Sequence, residues 1–210
     1  AIRFAAAGGI LLGIAAALRL RIPRDGRTWL RLFVLGLGGN AVYLGLTYMA
    51  LRHLSAGMGS IVASTNPLIL ALLAPRLLGE PLTKRKLIGL LLGFGGVVLA
   101  MHARAGSQTA RLQDVLLALT GVLAFVSSTI LYKRMDERPH PLVLNGGQLL
   151  CAGVALVPAA LVLEGVPHVV WTAPVVWSLV YLVLVLSVGA SMLWFWILQH
   201  GEASRVSAYY

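Results

Sequence analysis

Acidic residues and cysteine are scarce in this chain. Of 210 residues only 7 are Asp or Glu, 11% are charged, and Cys151 stands alone inside an apolar run. A single thiol excludes a disulfide framework and any cysteine-ligated metal site. The charged fraction is about half of what a water-soluble domain carries, so this surface is not built for water. No apolar run has Asp, Glu or Lys at its centre, and all five His fall at run ends. A carboxylate proton relay is therefore not evident. An intramembrane enzyme is disfavoured on the same ground, because the many serines have no mid-membrane base to activate them. The 17 basic residues raise the question of nucleic acid, but they lie between apolar runs rather than along one polar face, which argues against that partner.

What the chain has instead is apolar length. Hydrophobic residues make up 59% of it, gathered into runs Phe4–Leu18, Leu32–Leu51, Ala56–Leu73, Leu87–Ala100, Val115–Tyr132, Pro141–Leu163 and Val175–Leu198. Most approach the roughly 20 residues that cross a bilayer. Trp171, Pro174 and Trp177 mark a membrane interface before the last run. The chain begins at Ala1 inside an apolar helix and stops at Tyr210 where an eighth helix has started near Ala203, so a piece of a longer protein is expected. Alternating the spans leaves only Arg3, Arg52, Arg104 and Arg111 on one side and every other Lys and Arg on the other, which the positive-inside rule makes cytoplasmic. An all-α polytopic membrane protein follows.

The sharpest stretch is a hairpin. Its first arm ends at Leu77-Leu78-Gly79, the turn is Glu80-Pro81-Leu82-Thr83, and Lys84-Arg85-Lys86 open the second arm. Gly79 is expected to close the first helix, Pro81 to stop it continuing and Thr83 to cap the next. Glu80 beside Lys84 reads as an ion pair fixing the loop. An internal repeat is also visible. Tyr48 to Ala56 aligns without gaps on Phe195 to Ala203, and carried upstream the register pairs Asn40 with Ser187. The copies are an odd number of spans apart and so lie in opposite orientations, a signature of alternating-access carriers.

The Asn-Pro step within a helix, then Leu-Gly-Glu-Pro-Leu-Thr, a basic cluster and a Gly-rich apolar helix resemble the EamA-type repeat of the drug/metabolite transporter superfamily. The resemblance implies two inverted five-helix repeats. It places a first repeat lacking its first helix at 1–102, a linker at 103–113, and a second repeat lacking most of its fourth and all of its fifth helix at 114–210. It further implies a carrier in the inner (plasma) membrane that exports amino acids or related amphipathic solutes. A nucleotide-sugar or organophosphate carrier of the same superfamily is the alternative. That reading would favour a cation buried in the cavity, and no run shows one at its centre. A non-transporting membrane scaffold is the second alternative.

Polar groups inside spans are the candidates for the substrate path. Asn40, Tyr43 and Thr47 share one helical face, with interhelical packing as the plain alternative. In Ser64-Thr65-Asn66-Pro67 the proline deprives the Ala63 carbonyl of its usual donor, so a neighbour, a cavity or a substrate must answer it. Asn145 and Gln148 are costly amides at the start of the sixth run, ahead of the smaller hydroxyls Ser127, Ser128 and Thr129. Trp194 and Trp196 point to opposite sides of their helix, and Trp194 is taken for the path. Arg3 is expected to snorkel to the membrane edge rather than to meet a substrate carboxylate. Gly89 and Gly93 form a face suited to close helix packing. Gly93-Phe94-Gly95-Gly96 lies in an apolar helix with no strand before it and is no nucleotide loop. No catalytic residue, metal or cofactor is implied, the partners are a small-molecule substrate and the lipid bilayer, and the oligomeric state is left open.

Overall fold

Seven helices occupy the seven apolar runs in the computed structural model, which describes residues 1–81, 83–104, 111–135, 138–165 and 171–200. They are α1 (Ile2–Ala17), α2 (Gly26–Ala50), α3 (Ala56–Leu77), α4 (Lys84–Arg104), α5 (Leu112–Lys133), α6 (Pro141–Glu164) and α7 (Ala173–His200). No strand occurs among the described residues. By length and composition α2, α3, α5, α6 and α7 are each able to cross a membrane, and α1 is a shorter apolar helix. The chain is a polytopic all-α membrane protein. The linker centre at Gly106 to Thr109, Leu82 of the hairpin turn, and the eighth helix expected from Ala203 lie outside the described residues.

The helix ends follow local chemistry. Asp25 caps α2, its Oδ2 accepting from the Thr28 amide at 2.7 Å. Hydrogen bonding from Thr28 holds the Asp25 carboxyl below the usual aspartate range. Ser55 caps α3 in the same way through the Met58 amide at 3.2 Å. In the hairpin, Gly79 adopts φ +68°, the left-handed close expected after α3, and the Lys86 amide donates to Thr83 Oγ1 at 3.3 Å. Glu80 pairs with Lys86 at 4.0 Å rather than with Lys84, and the same Lys86 Nζ donates to the Pro81 carbonyl at 3.2 Å. One lysine thus ties both sides of the turn. Arg134 Nε reaches the Leu77 carbonyl at 2.8 Å and answers an acceptor that the end of α3 leaves open. Gly79→Ala is expected to lower thermal stability by about 1 kcal/mol, the penalty of a side chain in the left-handed region. Thermal unfolding in detergent checks this, and an unchanged midpoint would remove Gly79 as the stop.

The helices sort into two compact units, residues Ala1–Ala41 with Met135–His200 and residues Val42–Arg134. In the first, α6 is the common partner of α1, the opening part of α2 and the end of α7. Its neighbours come close because glycines meet backbone. A Cβ on Gly8 would lie 2.6 Å from the Leu150 nitrogen, and one on Gly153 would lie 2.7 Å from the Ala5 nitrogen. Numbers rise along α1 as they fall along α6, so the pair is antiparallel. Gly36 of α2 meets the backbone of Gln148 and Ala152 in the same manner. Packing of this type holds spans together where lipid removes the hydrophobic drive between helices.

In the second unit α5 is central, flanked by the last turns of α2 and by α3, while α4 lies along α3. Close packing here is looser than the Gly89 and Gly93 face suggests. A Cβ on Gly93 would come 3.2 Å from Leu68 Cδ2, whereas Gly89 faces open space. Leu87, Ile88, Leu91, Leu92 and Phe94 of α4 are exposed, as a lipid-facing helix requires.

Candidate functional site

α2 and α7 share an irregularity. Each widens into a π-helical segment, Leu37–Val42 in α2 and Leu182–Ala190 in α7. The register that pairs Asn40 with Ser187 places both in these segments, and it also pairs Gly26 with Ala173, the first residues of the two helices. π segments are rare and concentrate at functional sites. Asn40 is half-buried, and Ser187 is buried at 3% exposure.

In the first unit the structure brings Asn145 and Gln148 together. They sit one turn apart on α6, and Gln148 Nε2 donates to Asn145 Oδ1 at 3.1 Å. Asn145 Nδ2 donates to Ser191 Oγ of α7 at 2.9 Å, and Ser191 Oγ donates to the Ser187 carbonyl. Ser187 Oγ accepts from Arg3 Nε at 2.9 Å. The result is a continuous polar chain inside an apolar bundle. Ser187 and Ser191 stand four residues apart on one face of α7, a spacing readable in the sequence, but the importance of Ser191 is apparent only in three dimensions.

Arg3 corrects an expectation. It does not pack beside the ends of its neighbouring spans. Ser187 lies near the middle of the 28-residue α7, and Ala5 packs against Gly153 near the middle of the 24-residue α6. Both neighbours place Arg3 level with the middle of α6 and α7 rather than with their ends. A cation is present at the level where the runs, read one at a time, showed none.

In the second unit, Tyr43 and Thr47 both face α5. The Tyr43 ring lies 5.1 Å from that of Phe125, and a Cβ on Gly121 would come 3.0 Å from the Tyr43 carbonyl and 3.4 Å from Thr47 Oγ1. At Ser64-Thr65 α3 breaks into two pieces, Ala56–Ala63 and Asn66–Leu77, with Pro67 in the first turn of the second. Ser64 Oγ donates to the Ile61 carbonyl at 2.7 Å and Thr65 Oγ1 to the Val62 carbonyl at 2.6 Å. Asn66 is different. It is 4% exposed, and neither its Oδ1 nor its Nδ2 finds a hydrogen-bond partner among the described residues. A buried amide left open at both ends costs about 1–3 kcal/mol per group.

The remaining candidates lie outside this polar chain and the break of α3. Ser127 and Thr129 donate back to the carbonyls of Leu123 and Phe125 in their own helix, at 2.8 and 3.1 Å. Trp194 is half-buried while Trp196 is exposed against His200, so the two do take opposite sides of α7. Asp114, singled out by no motif, is buried at the start of α5 with Oδ1 3.3 Å from His53 Nδ1 and Oδ2 unanswered among the described residues. The signal available for it was an acid in a first turn, which usually means only a favourable helix dipole.

Comparison with known proteins gives a consistent picture. The model of the EamA-like transporter family matches residues 1–101 and 113–210. The chain is 31% identical over 203 residues to the uncharacterized transporter YvbV of Bacillus subtilis, covering 96% of this chain and 66% of that protein. It is 30% identical over 187 residues to the protein PecM of Dickeya dadantii, covering 87% and 61%. It is 28% identical over 210 residues to an uncharacterized transporter of Archaeoglobus fulgidus, covering 99% and 72%. The chain therefore spans about two thirds of the length of the curated relatives it matches. No solved structure matches it.

Proposed function

The chain belongs to the EamA-like transporter family, and from that premise we propose that it is a carrier of the inner (plasma) membrane that exports amino acids or related amphipathic solutes by alternating access. The observation that carries the reading is the Asn66 amide, buried at the break of α3 with donor and acceptor both open. An amide in that state inside a span is matched to a guest that brings its own polar groups. Asn145 and Gln148 supply further amides on α6, with Asn40, Tyr43 and Thr47 along α2 and Trp194 on α7 as path residues. Ser64, Thr65 and Pro67 make the bend in α3. The π segments at matching positions of α2 and α7 support two related halves. Because those helices are an odd number of spans apart, the halves run in opposite directions, the arrangement that rocking carriers use. No enzymatic step is assigned.

The test is efflux from liposomes holding the complete protein, loaded with radiolabelled amino acids singly, with and without a pH gradient. Saturable efflux of at least one member is expected. Efflux without the gradient identifies a facilitator, and efflux only with it a proton-coupled carrier. If no member leaves faster than from empty liposomes, the amino-acid assignment fails.

A further inference from the structure

We propose that Arg3 is an oxyanion subsite of the carrier, holding the carboxylate of a monoanionic solute on its outer guanidinium edge. The inference rests on the carrier reading and narrows its substrate class from amino acids and related amphipathic solutes to carboxylic acids that carry no compensating ammonium.

Three features of Arg3 lead there. It is a cation level with the middle of α6 and α7, and inside a span an uncompensated charge is costly and is kept for function. No acidic group pairs with it among the described residues, where its polar contact is Ser187. Its guanidinium is also oriented in advance. Nε is engaged by Ser187 Oγ at 2.9 Å, and the group lies over the Phe4 ring with CZ 4.8 Å from its centroid. That leaves Nη1 and Nη2 without a hydrogen bond among the described residues. A fixed guanidinium with two parallel N–H groups free is the geometry that carboxylates accept in bidentate fashion.

The surroundings decide which anion. One guanidinium neutralises one negative charge, and the neighbouring groups, Ser187, Ser191, Asn145 and Gln148, are neutral. A dianionic phosphate would leave a net charge stranded in a low-dielectric bundle, whereas a carboxylate closes the balance. The hydroxyl and amide chain that runs from Arg3 suits the polar remainder of such a solute.

The experiment is a thermal-shift titration of the purified complete protein with phenylacetate, phenylacetamide and phenyl phosphate, on wild type, Arg3→Gln and Arg3→Lys. Wild type is expected to bind the acid about tenfold more tightly than the amide, the scale of one charge-assisted contact. In Arg3→Gln that preference should vanish, and in Arg3→Lys part of it should return. Equal shifts for acid and amide on wild type overturn the proposal, as does a preference that survives in Arg3→Gln. A stronger, Arg3-dependent response to phenyl phosphate overturns the carboxylate assignment in favour of a dianion. If Arg3→Gln does not fold, the wild-type comparison of acid with amide still decides. Liposome efflux run beside it separates the two readings: a protein that binds the acid through Arg3 but moves no solute sinks the carrier reading alone, and one that moves solutes with no acid preference sinks this one alone.

Discussion

Gly36→Ala is expected to unseat α2 from α6 and to abolish efflux with it. The added methyl would collide with the carbonyl oxygen of Gln148 and lie 3.0 Å from its carbonyl carbon and 3.2 Å from the Ala152 nitrogen. All are backbone atoms of a helix, which cannot turn aside as a side chain tip does. Overpacking costs about 1–3 kcal/mol where neighbours yield, and here none does, so the loss should reach about 3 kcal/mol or more. Alanine's advantage over glycine in a helix, about 1 kcal/mol, is too small to offset it. The control is Gly13→Ala, where nothing lies within 4 Å and stability should hold or rise. Thermal unfolding in detergent and fluorescence-detected gel filtration of both variants check the pair. A Gly36→Ala protein as stable as wild type would show that α2 and α6 do not approach through this glycine.

Asn66→Leu should separate stability from transport. If the amide has no protein partner, an apolar residue of similar volume removes an unmet donor and acceptor, and stability should stay level or rise by about 1 kcal/mol. Efflux should fall at least tenfold, the loss of about 1.4 kcal/mol of interaction with the solute. Both are read on one preparation, by thermal unfolding and by liposome efflux. Unchanged efflux would take Asn66 out of the path. A stability loss of more than about 1 kcal/mol would show that the complete protein supplies a structural partner for the amide, the ordinary fate of polar side chains between spans.

Much of this architecture is legible in the amino-acid order because apolar length and turn chemistry are local properties. Each of the seven runs became a helix, and Gly79 and Thr83 closed and opened the hairpin arms where their chemistry places them. Asn145 and Gln148, singled out as amides of one run, prove to be hydrogen-bonded one turn apart. What escaped depends on which helices become neighbours. Arg3 meets Ser187 across 184 positions, and no pattern within α1 reveals that its first turn lies level with the middle of α7. For the same reason the closest approaches of glycine to a neighbouring backbone fell at Gly8, Gly36 and Gly153 rather than along Gly89 and Gly93, whose spacing looked better suited. The π segments were invisible because one extra residue in a turn leaves composition and hydropathy untouched. Glu80 chose Lys86 over Lys84 because Lys86 also reaches the Pro81 carbonyl, a second bond that nearness in sequence does not disclose.

The break in α3 carries a mechanical consequence. Its pieces, of 8 and 12 residues, are each too short to traverse the hydrocarbon, so the helix crosses only as a jointed rod. A joint in lipid ordinarily has to admit water to its loosened carbonyls whenever it flexes. Here the Ser64 and Thr65 hydroxyls travel with the joint and serve the Ile61 and Val62 carbonyls from within the same strand of backbone. Two carbonyls of the joint thus keep a donor that bends with them, and the one Pro67 deprives, Ala63, is where a change of angle would call for an outside partner.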